Sequence, residues 1–457
     1  MLLKATDFGN DFIWGTASSA YQTEGAYNID GKGQSIWDVF SKTIAKTKGS
    51  AEKGCDFYNR YLQDIILMHY LNIRNFRFSI AWTRIFPDGI GKVNRKGIDY
   101  YNRLIDFCLE MGIDPWITLY HWDLPQALEN KGGWTNRNII HWFEEYVQTC
   151  LHHFGDRVKH WMVLNEPMVF TGVGYFLGIH APGKKGLSNF LPALHHAMLC
   201  QGNGIRMIQA QQGLQAGTTF SCSPVHPFSD NPQHVEAATM VDTLLNRLFV
   251  EPLIGMGYPI KSLNLLRQLE PFVKQGDEQL MHCVPDFIGI QNYTKEVVKY
   301  NLFMPYIRAQ LIKAHERKVP ITAMNWEIYP QGIYEMLKQF AAYPQIKNII
   351  VSENGAAFHD KLIHDKVHDP ERIAFYQSYL QEVLKAKNEG IPVKGYFNWS
   401  FIDNYEWAEG FEKRFGLIYV DYPTGKRIVK SSGYWFREFL CPTVKKEKLL
   451  EQSTFAA

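Results

Sequence analysis

Two glutamates give the first sign of chemistry. Glu166 stands in Asn165-Glu166-Pro167 and Glu353 in Ser352-Glu353-Asn354-Gly355, each beside an asparagine and each at the end of a β-rich run. A lone glutamate in such a place is most simply a cap on the helix that follows. Two of them, set alike at two strand ends far apart in the chain, read instead as a facing pair, the arrangement that acid–base or nucleophilic work on one bond requires. Other polar and aromatic residues gather at equivalent places. Gln22 and Glu24 follow the first run, Arg77 lies in the second and His121-Trp122-Asp123 follows the third. Gln291-Asn292-Tyr293 closes a later run, and Trp399-Ser400 followed by Asn404-Tyr405-Glu406-Trp407 closes the last.

These residues need elements that bring them together. Eight short β-rich segments recur, at residues 12–17, 73–80, 115–120, 160–164, 217–222, 287–291, 348–352 and 393–399, each followed by a stretch of helical spacing. The stretch around residues 97–109 shows that spacing, with Ile98, Tyr101, Leu104, Ile105 and Cys108 on one face. Asp369-Pro370-Glu371 predicts a helix start, with Asp369 as its cap and proline in the first turn. Eight alternations predict a closed (β/α)8 TIM barrel, whose sites lie at the C-terminal ends of the strands. The rival, an open dinucleotide-binding sheet, lacks its glycine fingerprint after every strand, and there is no phosphate-binding P-loop. No linker-like or low-complexity tract divides the chain, so one domain over 1–457 is expected, with about 445–457 as a flexible tail.

Composition narrows the function classes. The 48 basic and 46 acidic residues nearly cancel, so neither nucleic acid nor an acidic membrane surface is an expected partner. No apolar run is long enough to span a bilayer, and the first residues lack the apolar stretch of an export signal, so a cytoplasmic protein is expected. The seven cysteines are odd in number, scattered and never in a C-x-x-C pair, which favours reduced thiols over disulfides or structural zinc. Aromatic residues make up 14% of the chain, more than packing alone demands.

The same residues carry a family resemblance. Phe12-Ile13-Trp14-Gly15-Thr16-Ala17-Ser18-Ser19-Ala20-Tyr21-Gln22-Thr23-Glu24-Gly25 resembles the N-terminal signature of glycoside hydrolase family 1, the β-glucosidases. Further blocks match in order: Tyr120-His121-Trp122-Asp123, Trp161-Met162-Val163-Leu164-Asn165-Glu166-Pro167, His180-Ala181-Pro182-Gly183, Trp326-Glu327-Ile328-Tyr329-Pro330, Ser352-Glu353-Asn354-Gly355 and Asn404-Tyr405-Glu406-Trp407-Ala408-Glu409-Gly410. The resemblance implies a retaining, exo-acting β-glycosidase that needs no metal or cofactor and takes small β-glucosides. Glu353 would be the nucleophile and Glu166 the acid/base, about 5–5.5 Å apart. Arg77 and Tyr293 resemble the residues that bind the nucleophile and would hold it ionised. Its charge would raise the pKa of Glu166. Gln22, His121, Asn165, Glu406 and Trp407 resemble ligands of the sugar hydroxyls, Trp399 the platform under the ring, and Trp326 an aglycone platform. Glu406 would repel a 6-phosphate, which favours a β-glucosidase over a 6-phospho-β-glucosidase. Transglycosylation on the same site, and a non-catalytic sugar-binding protein, are the other readings. The pair of acids argues against the last, while oligomeric state has no legible signal.

Some features fall outside this pattern. Gln291, Asn292, Ser221 and Gln201 depart from the residues common in the family, which bears on the surroundings of the acids. The basic segment 295–324 reads as a solvated loop beside the site mouth. The run His359-Asp360, His364-Asp365, His368-Asp369 fits no metal-ligand template.

Overall fold

The β-rich runs are short, and several, such as Phe287–Gln291, are apolar nearly throughout, as strands covered on both faces commonly are. The computed structural model describes residues 3–43 and 49–441. It forms these runs into eight parallel strands: β1 (Ile13–Ala17), β2 (Asn75–Ser79), β3 (Asp114–Tyr120), β4 (His160–Asn165), β5 (Gln215–Ser221), β6 (Phe287–Gln291), β7 (Ile349–Asn354) and β8 (Val393–Trp399). They close into a barrel in which β1 pairs with both β2 and β8. Every predicted segment overlaps its strand. β4 and β7 run further than predicted, so Asn165 and Glu353 are strand residues.

The register places the chemistry at one level. Ala17 lies opposite Arg77 and Trp399, Asn165 opposite Thr219, and Glu353 opposite Gln291. Register shifts interrupt β4 between Met162 and Asn165 and β7 between Val351 and Glu353. Such irregularities re-aim the side chains that follow them, and here each comes just before a candidate acid.

Below that level the barrel is plugged with aromatic rings. Trp116 packs edge-on against Phe287 and Phe397, at centroid distances of 5.5 and 5.1 Å, and His160 stacks on it at 3.9 Å. Met162 and Ile350 belong to the same interior cluster, which continues up to Trp399 at the level of the chemistry. Rings of that size leave no room beside them. A Cβ on Gly217 would lie 2.4 Å from the Phe287 ring, and one on Gly15 2.4 Å from the Phe397 ring. Much of the aromatic excess is therefore core, at roughly 1.5–3 kcal/mol for each fully buried large side chain.

The outer layer is helical: α1 (Phe57–Tyr70), α2 (Arg95–Glu110), α3 (Ile139–Phe154), α4 (Leu187–Gln209), α5 (Pro232–Asp242), α6 (Gln331–Ala341), α7 (Pro370–Asn388) and α8 (Ser431–Leu440). On α2 the five expected apolar residues are buried, together with Tyr100. α7 begins at Pro370 with Asp369 at its N-cap position, as expected, but the Asp369 side chain makes no capping hydrogen bond. Its carboxylate instead pairs with Arg372 and accepts from the Ser432 backbone N–H and hydroxyl, at 2.9 and 2.6 Å.

Two other expectations need correction or a boundary. The basic segment is not a simple loop: Glu296–Tyr300 pairs with Val225–Pro227 and Ala309–Leu311 in a three-stranded sheet over the barrel mouth. Lys295 and Arg317 are spent on the buried Glu327, at 3.4 and 2.5 Å. The expected tail lies outside the described residues, apart from which the seven cysteines are all unpaired thiols. Among the described residues no cluster of three or more metal-ligating side chains occurs, and no helix is long and apolar enough to cross a membrane.

Candidate active site

Burial forces polar side chains to satisfy one another, and at the C-terminal end of the barrel they do so as one web. Its hub is Arg77, fully buried on β2. The planar fork of a guanidinium can serve several acceptors in fixed directions. Nε donates to Thr118 Oγ1 at 3.0 Å, Nη1 to a carboxylate oxygen of Glu353, and Nη2 to Asn165 Oδ1 at 2.5 Å. The Tyr293 hydroxyl donates to the other Glu353 oxygen at 2.7 Å. Glu353 is thus fixed by donors on both oxygens, from two different elements.

Asn165 links the two acids. Its Oδ1 also accepts from Thr219 and Gln291, at 3.0 and 2.8 Å. Three donors on that oxygen settle the amide orientation. Nδ2 then faces Glu166 Oε2 at 3.4 Å and His121 Nε2 at 3.1 Å. His121 Nε2 must therefore accept, which puts the ring proton on Nδ1. That N–H is buried and has no hydrogen-bond partner in the protein. Burial, then Arg77, holds the His121 pKa well below its usual value, so the ring stays neutral.

Burial raises the pKa of both acids. That of Glu166 reaches about 8, from burial first and the Glu353 charge second. The expected cause, the neighbouring charge, is real but smaller. Burial pushes Glu353 above the ordinary carboxylate value too, against the pull of Arg77 and the Tyr293 hydroxyl toward the ionised form. Ionisation of either acid works against the other.

The sugar-ligand candidates sit beside this web. Gln22 Nε2 donates to Tyr405 O at 2.8 Å and to Asn404 Oδ1 at 3.2 Å, and lies 3.4 Å from Glu406 Oε2. The pKa of Glu406 is pushed up to about 8, by burial, then by Glu353 and Glu166. Trp399 and Trp407 both lie nearly parallel to the His121 ring at 6.0 Å. Trp326 packs on Tyr293 at 5.4 Å, towards the mouth. Three of these positions hold left-handed backbone without glycine: Trp122 at φ 77°, Glu166 at φ 47° and Trp407 at φ 49°. Such residues cost on the order of 1–3 kcal/mol each and concentrate at functional sites.

Not every residue singled out from the sequence belongs here. Glu24 lies away from the web, bound to Arg84 and Tyr101 at 2.6 and 2.7 Å. Trp122 gives its indole N–H to Asn165 O at 2.9 Å and supports the web from outside. The Asn292 side chain donates to Cys222 O and Thr294 O, away from the acids. Gln201 is likewise turned to Phe249 O and Thr218. Sequence reasoning missed Thr118, Thr219 and the contact role of Gln291. Their inward positions at strand ends were the available signal.

Fold and site together define a (β/α)8 protein with two coupled carboxyl groups in a pocket of hydroxyl-matching and aromatic side chains. The family model "Glycosyl hydrolase family 1" matches residues 4–444. The chain is 41% identical to "Beta-glucosidase A" of Thermotoga maritima over 434 residues, 94% of this chain and 96% of that protein. It is 42% identical to "1,4-beta-D-glucan glucohydrolase" of Thermotoga neapolitana, covering 94% of this chain and 97% of that protein. Among solved structures, the family 1 β-glucosidase from Thermotoga maritima superposes with a TM-score of 0.91 at 40% identity, covering 96% and 98% of the two chains. A complex of a Thermotoga maritima β-glucosidase with deoxynojirimycin scores 0.89 at 40% identity over the same shares. The chain belongs to glycosyl hydrolase family 1.

Proposed function

We propose that this protein is a retaining, exo-acting β-glucosidase, with Glu353 as nucleophile and Glu166 as acid/base. The observation that carries the reading is the asymmetry of the two acids. Arg77 and Tyr293 hold both oxygens of Glu353, whereas Glu166 titrates near 8. The acid with two strong donors suits the nucleophile, and the acid that keeps its proton at neutral pH suits the proton donor.

In the first step Glu353 attacks the anomeric carbon while Glu166 protonates the departing glycosidic oxygen. The products are a glycosyl ester on Glu353 and a free aglycone. Esterification removes the Glu353 charge, so the pKa of Glu166 falls and Glu166, now ionised, takes a proton from the incoming water. Burial is the larger cause of its raised value and persists through the cycle, so the fall is partial. Water attacks the anomeric carbon, the ester bond breaks and Glu353 leaves as carboxylate. Gln22, His121, Asn165, Glu406 and Trp407 bind hydroxyls, Trp399 lies under the ring and Trp326 lines the aglycone side. The protonated Glu406 offers a 6-phosphate no counter-charge, which favours an unmodified sugar. Seven unpaired thiols fit a reducing cytoplasm.

Turnover of aryl β-glucoside, galactoside, fucoside, mannoside and 6-phosphoglucoside by the purified protein tests this. The glucoside should be hydrolysed with release of the β-sugar first. Turnover of the 6-phospho substrate alone, or release of the α-sugar, would overturn it.

A further inference from the structure

Behind the pocket lies a buried ionic cluster that the reaction does not use. Three acids and three bases meet there: Asp360 and Asp369 from the stretch after β7, Asp403 from the stretch after β8, Arg372 on α7, Arg414, and Lys430 at the start of α8. Lys430 is fully buried, and its ammonium reaches Asp360 at 2.5 Å and Asp403 at 2.6 Å. Arg414 reaches the other Asp403 oxygen at 2.6 Å. Arg372 pairs with Asp369 and Asp360, and also donates to Arg414 O at 2.7 Å and to Ala356 O at 3.3 Å.

The placement of these bonds is what matters. Asp403 immediately precedes Asn404, which with Tyr405 and Glu406 receives Gln22. The same Asp403 oxygen that takes Lys430 takes the backbone N–H of Gly416 at 3.0 Å. The Asp403 N–H donates to Ile418 O at 2.9 Å, and a Cβ on Gly416 would stand 2.2 Å from the Asp403 nitrogen. One carboxylate therefore pins together the two ends of the 403–416 loop, which carries Glu406 and Trp407. Arg372 ties that loop to Ala356, three residues after Glu353, and a bridge between Phe358 and Arg414 joins the same two stretches.

We propose that Lys430 and Asp403 are positioning residues for the sugar site, setting where Glu406 and Trp407 stand relative to Glu353. The inference rests on the functional reading above. Buried charges are an expensive way to stabilise a fold, since apolar side chains of like volume often do as well or better. What they supply is direction, because each ion accepts only partners at defined angles. With the Lys430 charge removed, Asp403 keeps Arg414 but loses its inner partner, and the loop base is free to shift. A shift of about 1 Å there is enough to cost a hundredfold in rate.

The test compares the wild type with Lys430→Met, Lys430→Arg and Asp360→Asn. For each, kcat and KM on an aryl β-glucoside and the Kd of deoxynojirimycin are measured well below the variant's Tm. Lys430→Met should weaken deoxynojirimycin and lower kcat/KM, each by about tenfold to a hundredfold, with native far-UV circular dichroism. Lys430→Arg should recover most of both. A Lys430→Met protein with lowered Tm but wild-type Kd and kcat/KM would overturn the proposal and leave the cluster a stabilising device. Should Lys430→Met not fold, Asp360→Asn decides, since it removes the negative charge that Asp360 sets against Lys430 and Arg372 and leaves Asp403 paired. An intermediate loss of affinity supports the proposal, and none overturns it. If the wild type failed to hydrolyse the glucoside, the functional reading alone would fall, and inhibitor binding would still decide the role of the cluster.

Discussion

At the scale of single residues, the division of labour between the two acids makes sharp predictions. Glu353→Gly removes the group that forms the ester, and kcat on an aryl glucoside should fall by at least about 10⁴-fold, as for other residues that act as one unit with their partners. Full activity in that variant would sink the assignment. Glu166 has a pH signature. Its folded-state pKa of about 8 stands above the ordinary 4.5, so between those values the native state holds a proton that the unfolded chain has lost. Stability from this group is complete at low pH and is lost as pH rises through about 8. Glu166→Gln mimics the protonated acid and does not titrate. Its Tm should gain on the wild type by roughly 2 °C or more between pH 5 and 8, with no further gain above. The same titration puts the alkaline limb of wild-type kcat/KM near 8, and thermal melts and rate profiles over pH check both. Residue types alone do not reveal this balance. The acids were legible from their place at strand ends, but the dominance of burial over the neighbouring charge depends on three-dimensional packing.

At the scale of elements, the eight strands were legible because each is a short run rich in β-branched or aromatic residues that recurs ahead of a stretch of helical spacing. The sheet built on Glu296–Tyr300 was not. Its strands are short and set in a segment with several basic residues, and charge there reads as solvent exposure until Glu327 is seen to gather Lys295 and Arg317. The capping role expected of the Asp369 side chain fails for a related reason. A cap is a local pattern, whereas its actual partner Ser432 lies 63 residues away. The strand ends also impose a steric condition that no motif states. β7 and β8 approach so closely beyond the barrel that a Cβ on Gly355 would lie 1.9 Å from Trp399 O. Backbone cannot yield as a flexible side chain does. Gly355→Ala should therefore destabilise by about 3 kcal/mol or more and displace Trp399 from its place beside His121. Denaturant unfolding together with the KM for the glucoside reads both effects; wild-type values for both would show that the strand ends have slack.

At the scale of the whole molecule, the pocket couples to global stability through every residue that shapes it. Three left-handed residues and three carboxyl groups with raised pKa values lie in one site, which is therefore a strained part of an otherwise well-packed barrel. A ligand that pairs those groups stabilises the native state by RT ln(1 + [L]/Kd), about 2.7 kcal/mol at a hundred times Kd. For deoxynojirimycin this should appear as a rise in Tm of a few degrees that grows with the logarithm of concentration. Glucose 6-phosphate makes the contrast. It has the same ring as glucose, but its phosphate would meet Glu406, which offers no positive charge, and burying a phosphate without a paired cation is costly. It should leave Tm unchanged at concentrations where glucose already raises it. Equal stabilisation by the two sugars would mean that the phosphate finds a cation or open solvent, and the substrate class drawn from Glu406 would be wrong. The comparison needs no turnover, so it separates what the pocket recognises from what the two acids do.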